Sequence, residues 1–144
     1  MSELTVRDCM HQGVISCSPE TGLEEVASIM RERGISAVVV VKDGTAAGLI
    51  SKTDLVNASY VQPYMRYWRG MAARHLMSTP VISIRPNASL GHALDLLRLH
   101  GIHRLVVSEP TPAGERPVGI LSLTDVARAA GDWTLPAGSG RKQT

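Results

Sequence analysis

Apolar and polar positions follow two periods along this chain, and each period occurs twice. Leu23, Val26, Ala27 and Met30 recur at helical spacing, which gathers them on one face of a helix. Thr21 followed by Glu24 predicts a capping box at its start, and Gly34 offers the left-handed conformation that ends it. The stripe returns as Leu90, Ala93, Leu94 and Leu97, closed by Gly101. Behind each glycine the period changes. ISAVVVV (35–41) and IHRLVV (102–107) are β-branched runs, the pattern of a strand covered on both faces. Asp43-Gly44 then predicts a tight hairpin into Ala46–Ile50, whereas EPTPAGERP (109–117) predicts a looser, exposed loop in the same place.

The two halves are copies. Residues 10–41 align without a gap on residues 77–108, with 11 of 32 positions identical. After a loop four residues longer in the second copy, GLISKTD (48–54) meets GILSLTD (119–125) with 4 of 7 identical. Each copy therefore predicts a short helix, strand, helix, strand, strand and helix, and the fold class is α/β of the α+β type. A duplicated unit of this size cannot bury its apolar face alone and packs against its twin. Two facing copies form a cleft, and polar groups at the edge of each copy reach it in pairs.

Composition narrows the function. At 144 residues the chain suits one compact domain filled by the repeats over 5–57 and 73–130, with a linker over 58–72 and a flexible tail over 131–144. A formal charge of +2 gives no general reason to expect nucleic acid. Cys9 and Cys17 make a poor disulfide framework, the start Met1-Ser2-Glu3 is not a secretory leader, and no run approaches the ~20 apolar residues of a bilayer span. The expectation is a cytoplasmic protein without membrane contact. His11, His75, His92, His100 and His103 lack metal-ligand spacing with cysteine, and no nucleophile is accompanied by a base and orienter. Neither a metal site nor an enzyme is expected.

The strand-to-helix junctions carry the chemistry. In both copies a Gly lets the backbone come close, two apolar residues finish the strand, a Ser stands where a helix begins, and an Asp follows three residues later. The start of a helix suits a phosphate, with Ser51 or Ser122 adding a hydroxyl. A carboxylate beside it, Asp54 or Asp125, can accept both hydroxyls of a ribose diol. The same Ser-x-x-Asp spacing is an ordinary helix cap, and the two roles are compatible.

The order and duplication of VRDCMHQGVIS and ARHLMSTPVIS, MRERGISAVVVV and LRLHGIHRLVV, and the two closing motifs above resemble the cystathionine β-synthase (CBS) domain family. The resemblance implies two β-α-β-β-α repeats packed through their sheets with pseudo-two-fold symmetry, and two clefts for adenosine-containing ligands. It implies that Asp54 and Asp125 hold ribose, that Ser51 and Ser122 lie beside ribose or phosphate, and that adenine slides between apolar side chains near Val14-Ile15 and Val81-Ile82. Thr53, Thr79 and Thr124 complete the implied ligand set. Copy two has His103-Arg104 where copy one has Ser36-Ala37, so a polyanionic end should lean on copy two and the clefts should bind unequally. The competing possibility is that Arg104 pairs with an acid such as Glu109.

The implied function is a sensor of AMP, ADP, ATP, S-adenosylmethionine, NAD or cyclic di-AMP that needs no obligatory cofactor. It would form a homodimer through the helices after each Asp and pass occupancy to a regulated protein whose identity the chain does not carry. The linker offers an alternative. Tyr60, Tyr64, Tyr67 and Trp68 are interleaved with Arg66 and Arg69 and followed by Arg74, a set that pins the crossover to the module's flank or a second subunit, or stacks on single-stranded nucleic acid. In that second case the protein is a constitutive assembly or nucleic-acid-binding adaptor with unoccupied clefts.

Overall fold

Glycine ends both long helices as the spacing requires. In the computed structural model, which describes residues 4–61 and 70–129, Gly34 has φ 64° and Gly101 φ 61°. The first copy runs α1 (Val6–Cys9), β1 (His11–Gln12), β2 (Ser16–Cys17), α2 (Leu23–Arg33), β3 (Ala37–Lys42), β4 (Thr45–Ser51) and α3 (Lys52–Val61). The second runs α4 (Ala73–Leu76), β5 (Ser83–Ile84), α5 (Leu90–His100), β6 (Arg104–Thr111), β7 (Gly114–Ser122) and α6 (Leu123–Ala129). The architecture is the expected mixture of helices and sheets.

Two local expectations change. Thr21 does not cap α2: Gly22 is the N-cap, with no side-chain bond, and the Thr21 hydroxyl instead accepts the Ser18 N–H at 3.0 Å. The signal was misread because a Thr one position early closes the preceding turn. In the second copy Ser89 does cap α5, accepting the His92 N–H at 3.1 Å. Ser89→Ala is therefore expected to cost about 1 kcal/mol in urea unfolding. The second correction concerns the EPTPAGERP segment. It is not a loose loop, because β6 and β7 stay paired out to Thr111 opposite Gly114. The four additional residues lengthen the hairpin. Its shorter counterpart turns at Asp43 (φ 54°) and Gly44 (φ 79°), two positive φ values that match the twist of the flanking strands.

The sheets do not divide along the repeat boundary. One has strand order β1-β7-β6-β5 and the other β2-β3-β4, so β1 of the first copy pairs antiparallel with β7 of the second, His11 opposite Ile120 and Gln12 opposite Gly119. The reciprocal crossing is an isolated bridge between Ser78 and Leu49. The leading helices cross with these segments. Val6 is wholly buried in the second copy's core with Ile84, Leu97, Leu105 and Leu121, while Ala73 is buried in the first copy's core with Val26, Met30, Val38 and Ile50. Complete burial of a valine side chain is worth about 1.5–3 kcal/mol, so each copy helps to hold its twin folded. The backbone seals the exchange: Val6 N–H donates to the Ala88 carbonyl at 2.8 Å, and Ala73 N–H to that of Thr21 at 2.7 Å.

Of the linker signals, Tyr64, Arg66, Tyr67, Trp68 and Arg69 lie outside the described residues, as does the tail from 130. Tyr60 is exposed near the end of α3, and Arg74 meets Glu20 at 3.1 Å. Among the described residues no helix is long and apolar enough to cross a membrane.

Candidate functional site

Each strand-to-helix junction closes as a reciprocal box. Ser51 N–H donates to Asp54 Oδ2 at 2.8 Å and Asp54 N–H to Ser51 Oγ at 3.1 Å; Ser122 and Asp125 repeat both bonds at the same distances. The caps therefore form. What distinguishes the two junctions is everything around the second carboxylate oxygen. Asp125 has a side chain only 2% exposed, and its Oδ1 lies 3.2 Å from both His11 Nε2 and Arg128 Nη1. Asp54 is half-buried and, among the described residues, has only its own junction bond.

His11 reaches Asp125 because β1 is paired with β7, the strand that leads directly into α6. Arg128 reaches it because three residues along a helix return to the same face. Arg104 is placed by strand register: it stands opposite Ser122 at the start of β6, and its Nη2 donates to Ser36 Oγ of the first copy at 3.0 Å. The expected alternative partner, Glu109, is instead engaged by Arg7 at 3.6 Å and Arg116 at 3.5 Å.

These groups line one groove of about 1070 Å³ between the two copies. Val14, Ile15 and Ile120 contribute apolar wall, Ser122, Thr124 and Asp125 form one polar end, and Arg31, Lys52 and Arg104 add positive charge. A space of this size holds a small organic ligand with room to spare. An apolar slot for a flat ring, a buried carboxylate for a diol and several cations for phosphate are the parts a nucleotide needs.

The CBS domain family model matches residues 6–60 and 73–132. The chain belongs to the CBS domain family. Its CBS pair is 30% identical over 123 residues to the CBS domain-containing protein YhcV of Bacillus subtilis, spanning 85% of this chain and 83% of that one. The fold matches the CBS domain pair of protein MJ0100, solved in complex with 5′-methylthioadenosine and S-adenosyl-L-methionine, at TM-score 0.76 and 20% identity over 90% of this chain and 98% of that one. CBSX2, solved in complex with AMP, matches at TM-score 0.69 and 25% identity over 88% of this chain and 95% of that one.

Within this CBS pair the sequence-expected residues separate into two sets. Val14, Ile15, Arg104, Ser122, Thr124 and Asp125 line the groove, whereas Ser51, Thr53, Asp54, Thr79, Val81, Ile82 and His103 do not. His103 is exposed; its carbonyl accepts the Leu123 N–H at 2.8 Å. The Gly before each junction allows a close approach, and what approaches is the other copy's crossing segment. Gly48 and Gly119 make room for the crossing segments, since a Cβ at 48 would lie 2.5 Å from Met77 Sδ and one at 119 would lie 2.5 Å from the His11 carbonyl oxygen.

Sequence reasoning missed His11, Arg31, Lys52 and Arg128. Arg128 was legible from its three-residue spacing to Asp125 on one helix. No local signal marks His11, which depends on pairing between the two copies. The thiols contribute little chemistry: burial raises both Cys9 and Cys17 above the ordinary thiol range, so both remain poor nucleophiles at neutral pH.

Proposed function

We propose that this protein is a regulatory module, not an enzyme, that binds an adenosine-containing ligand in the groove at Asp125 and passes its occupancy to a partner protein. One observation carries the reading: a buried carboxylate lining a groove that has apolar wall and four basic side chains. In this reading Asp125 accepts the ribose hydroxyls, adenine lies against Val14 and Ile15, and Ser122, Thr124 and Arg104 attend the ribose and phosphate. AMP bound to CBSX2, together with the adenosyl ligands of the MJ0100 pair, supports this ligand class. The counterpart junction, with Ser51, Thr53, Asp54, Thr79, Val81 and Ile82, forms a weaker second site.

Because α1 and β1 belong to the first copy by sequence and to the second by packing, a ligand beside His11 touches the seam between the copies. Occupancy then shifts the population of two arrangements of that seam. Exposed Val56 and Tyr60 on α3 and Leu123 on α6 fit a homodimer closed through the helices that follow each Asp, in the cytoplasm and with a protein partner of unassigned identity.

A thermal-shift screen of adenosine, AMP, ADP, ATP, S-adenosylmethionine, NAD and cyclic di-AMP tests the reading. A ligand at 100 times its dissociation constant adds about 2.7 kcal/mol of stability. Calorimetry is then expected to give one tight site per chain and a second at least about tenfold weaker, since the second carboxylate lacks the buried setting. Two identical sites would remove the asymmetry, and no response to any adenosine compound would remove the function.

A further inference from the structure

We infer that His11 and Arg128 are exchangeable partners of Asp125, which leave it for the phosphate of an incoming nucleotide and so make the groove select phosphorylated adenosines over neutral or cationic ones. The inference rests on the adenosine reading above and adds the chemical class of ligand. Its starting point is the crowding of one carboxylate. Oδ2 accepts the Ser122 N–H at 2.8 Å, and Oδ1 faces His11 Nε2 and Arg128 Nη1 at 3.2 Å each. A carboxylate offers about four acceptor positions. The carboxylate is only 2% exposed beneath those two side chains, so a ribose diol reaches its free acceptor positions only when at least one of them withdraws.

The backbone N–H cannot withdraw without undoing the start of α6. The two side chains can, because His11 is 72% exposed and Arg128 68% exposed. A displaced guanidinium then faces a groove whose other charged lining groups, Arg31, Lys52 and Arg104, are all basic. A 5′-phosphate answers that excess by accepting charge-assisted hydrogen bonds from Arg128 and its neighbours. A neutral nucleoside leaves the displaced cation uncompensated, and a sulfonium adds charge of the wrong sign. The alignment of the copies places Ser78 and Asn57 where the second copy's junction has His11 and Arg128. The Asp54 junction therefore lacks this selectivity.

The test is calorimetry with adenosine, AMP, ADP and S-adenosylmethionine on the unmodified protein and on His11→Gln, Arg128→Gln and Arg128→Lys, each first checked by thermal melting. The unmodified protein is expected to prefer ADP over adenosine by at least about tenfold, with S-adenosylmethionine weakest. Arg128→Gln should collapse the ADP-to-adenosine preference by about tenfold, His11→Gln by less, and Arg128→Lys should restore most of it. An Arg128→Gln protein that loses ADP and adenosine in equal proportion would make Arg128 a positioning group for Asp125 and overturn the inference. If that variant does not fold, salt dependence of the unmodified protein decides, since exchange onto phosphate requires ADP affinity to fall more steeply with salt than adenosine affinity. Equal slopes overturn it. Adenosine binding without any phosphate preference removes this inference and leaves the proposed function standing, whereas no binding of any adenosine compound removes both.

Discussion

Asp125→Ala is expected to weaken the tightest adenosine-containing ligand by about ten- to a hundredfold, the loss of charge-assisted bonds worth about 1.5–3 kcal/mol. The same substitution at Asp54 should change that affinity far less. The contrast follows from burial: Asp125 is enclosed with the Arg128 guanidinium and the His11 imidazole on one oxygen, while Asp54 is half-buried and, among the described residues, has its junction bond alone. Alanine at 125 also strips the Ser122 N–H of its acceptor and leaves Arg128 without the carboxylate it meets at 3.2 Å. A stability loss of about 1–3 kcal/mol should therefore accompany the loss of binding. Asp125→Asn separates the two effects, because the amide keeps the shape and an acceptor for Ser122 while losing the charge. Calorimetry paired with melting temperatures reads both quantities. An alanine variant that binds as tightly as the parent would detach the carboxylate from the ligand.

Local pattern revealed the repeat because each copy must bury the same face. Leu23, Val26 and Met30 on α2, and Ala93 and Leu97 on α5, are buried as their spacing requires. The runs in β3 and β6 are covered on both faces, giving four consecutive buried residues in each. The Ser-Asp junctions were equally legible, since the bonds that close them span three residues. What the chain did not disclose is long-range. Val6 carries no mark that it belongs to the far copy's core, and nothing local at Gly48 or Gly119 tells that they make room for Met77 and for Met10 with the His11 backbone. His11 reaches the groove through a strand pairing between the copies. Arg104 lines the groove, and its partner Ser36 lies 68 residues away. The two copies are nearly alike in fold, but their junctions differ in what surrounds the carboxylate: Arg128 and His11 meet Asp125, where the alignment puts Asn57 and Ser78 in the first junction.

The crossing of β1 gives the same substitution opposite signs at two glycines. Gly91 lies exposed near the start of α5, where a Cβ would meet nothing closer than Ser89 Oγ at 3.8 Å. Gly91→Ala is expected to stabilise the protein by about 0.5–1 kcal/mol, the usual gain from removing a helical glycine. At Gly119 a Cβ would lie 2.5 Å from the His11 carbonyl oxygen and 3.0 Å from Met10 Sδ. The methionine tail can swing aside. The carbonyl cannot, because it belongs to a strand fixed by the pairing of Gln12 with Gly119 and of His11 with Ile120. Overpacking of this kind costs about 1–3 kcal/mol and outweighs the entropic gain. Gly119→Ala should therefore lower stability by about 2 kcal/mol, a fall of roughly 6–8 °C in melting temperature. Because the strand it displaces carries His11, the variant should also lose ligand affinity while Gly91→Ala does not. A melting temperature unchanged at 119 would mean that β1 is free to move off β7, and the seam between the copies would then lack the rigidity that the proposed signalling through it requires.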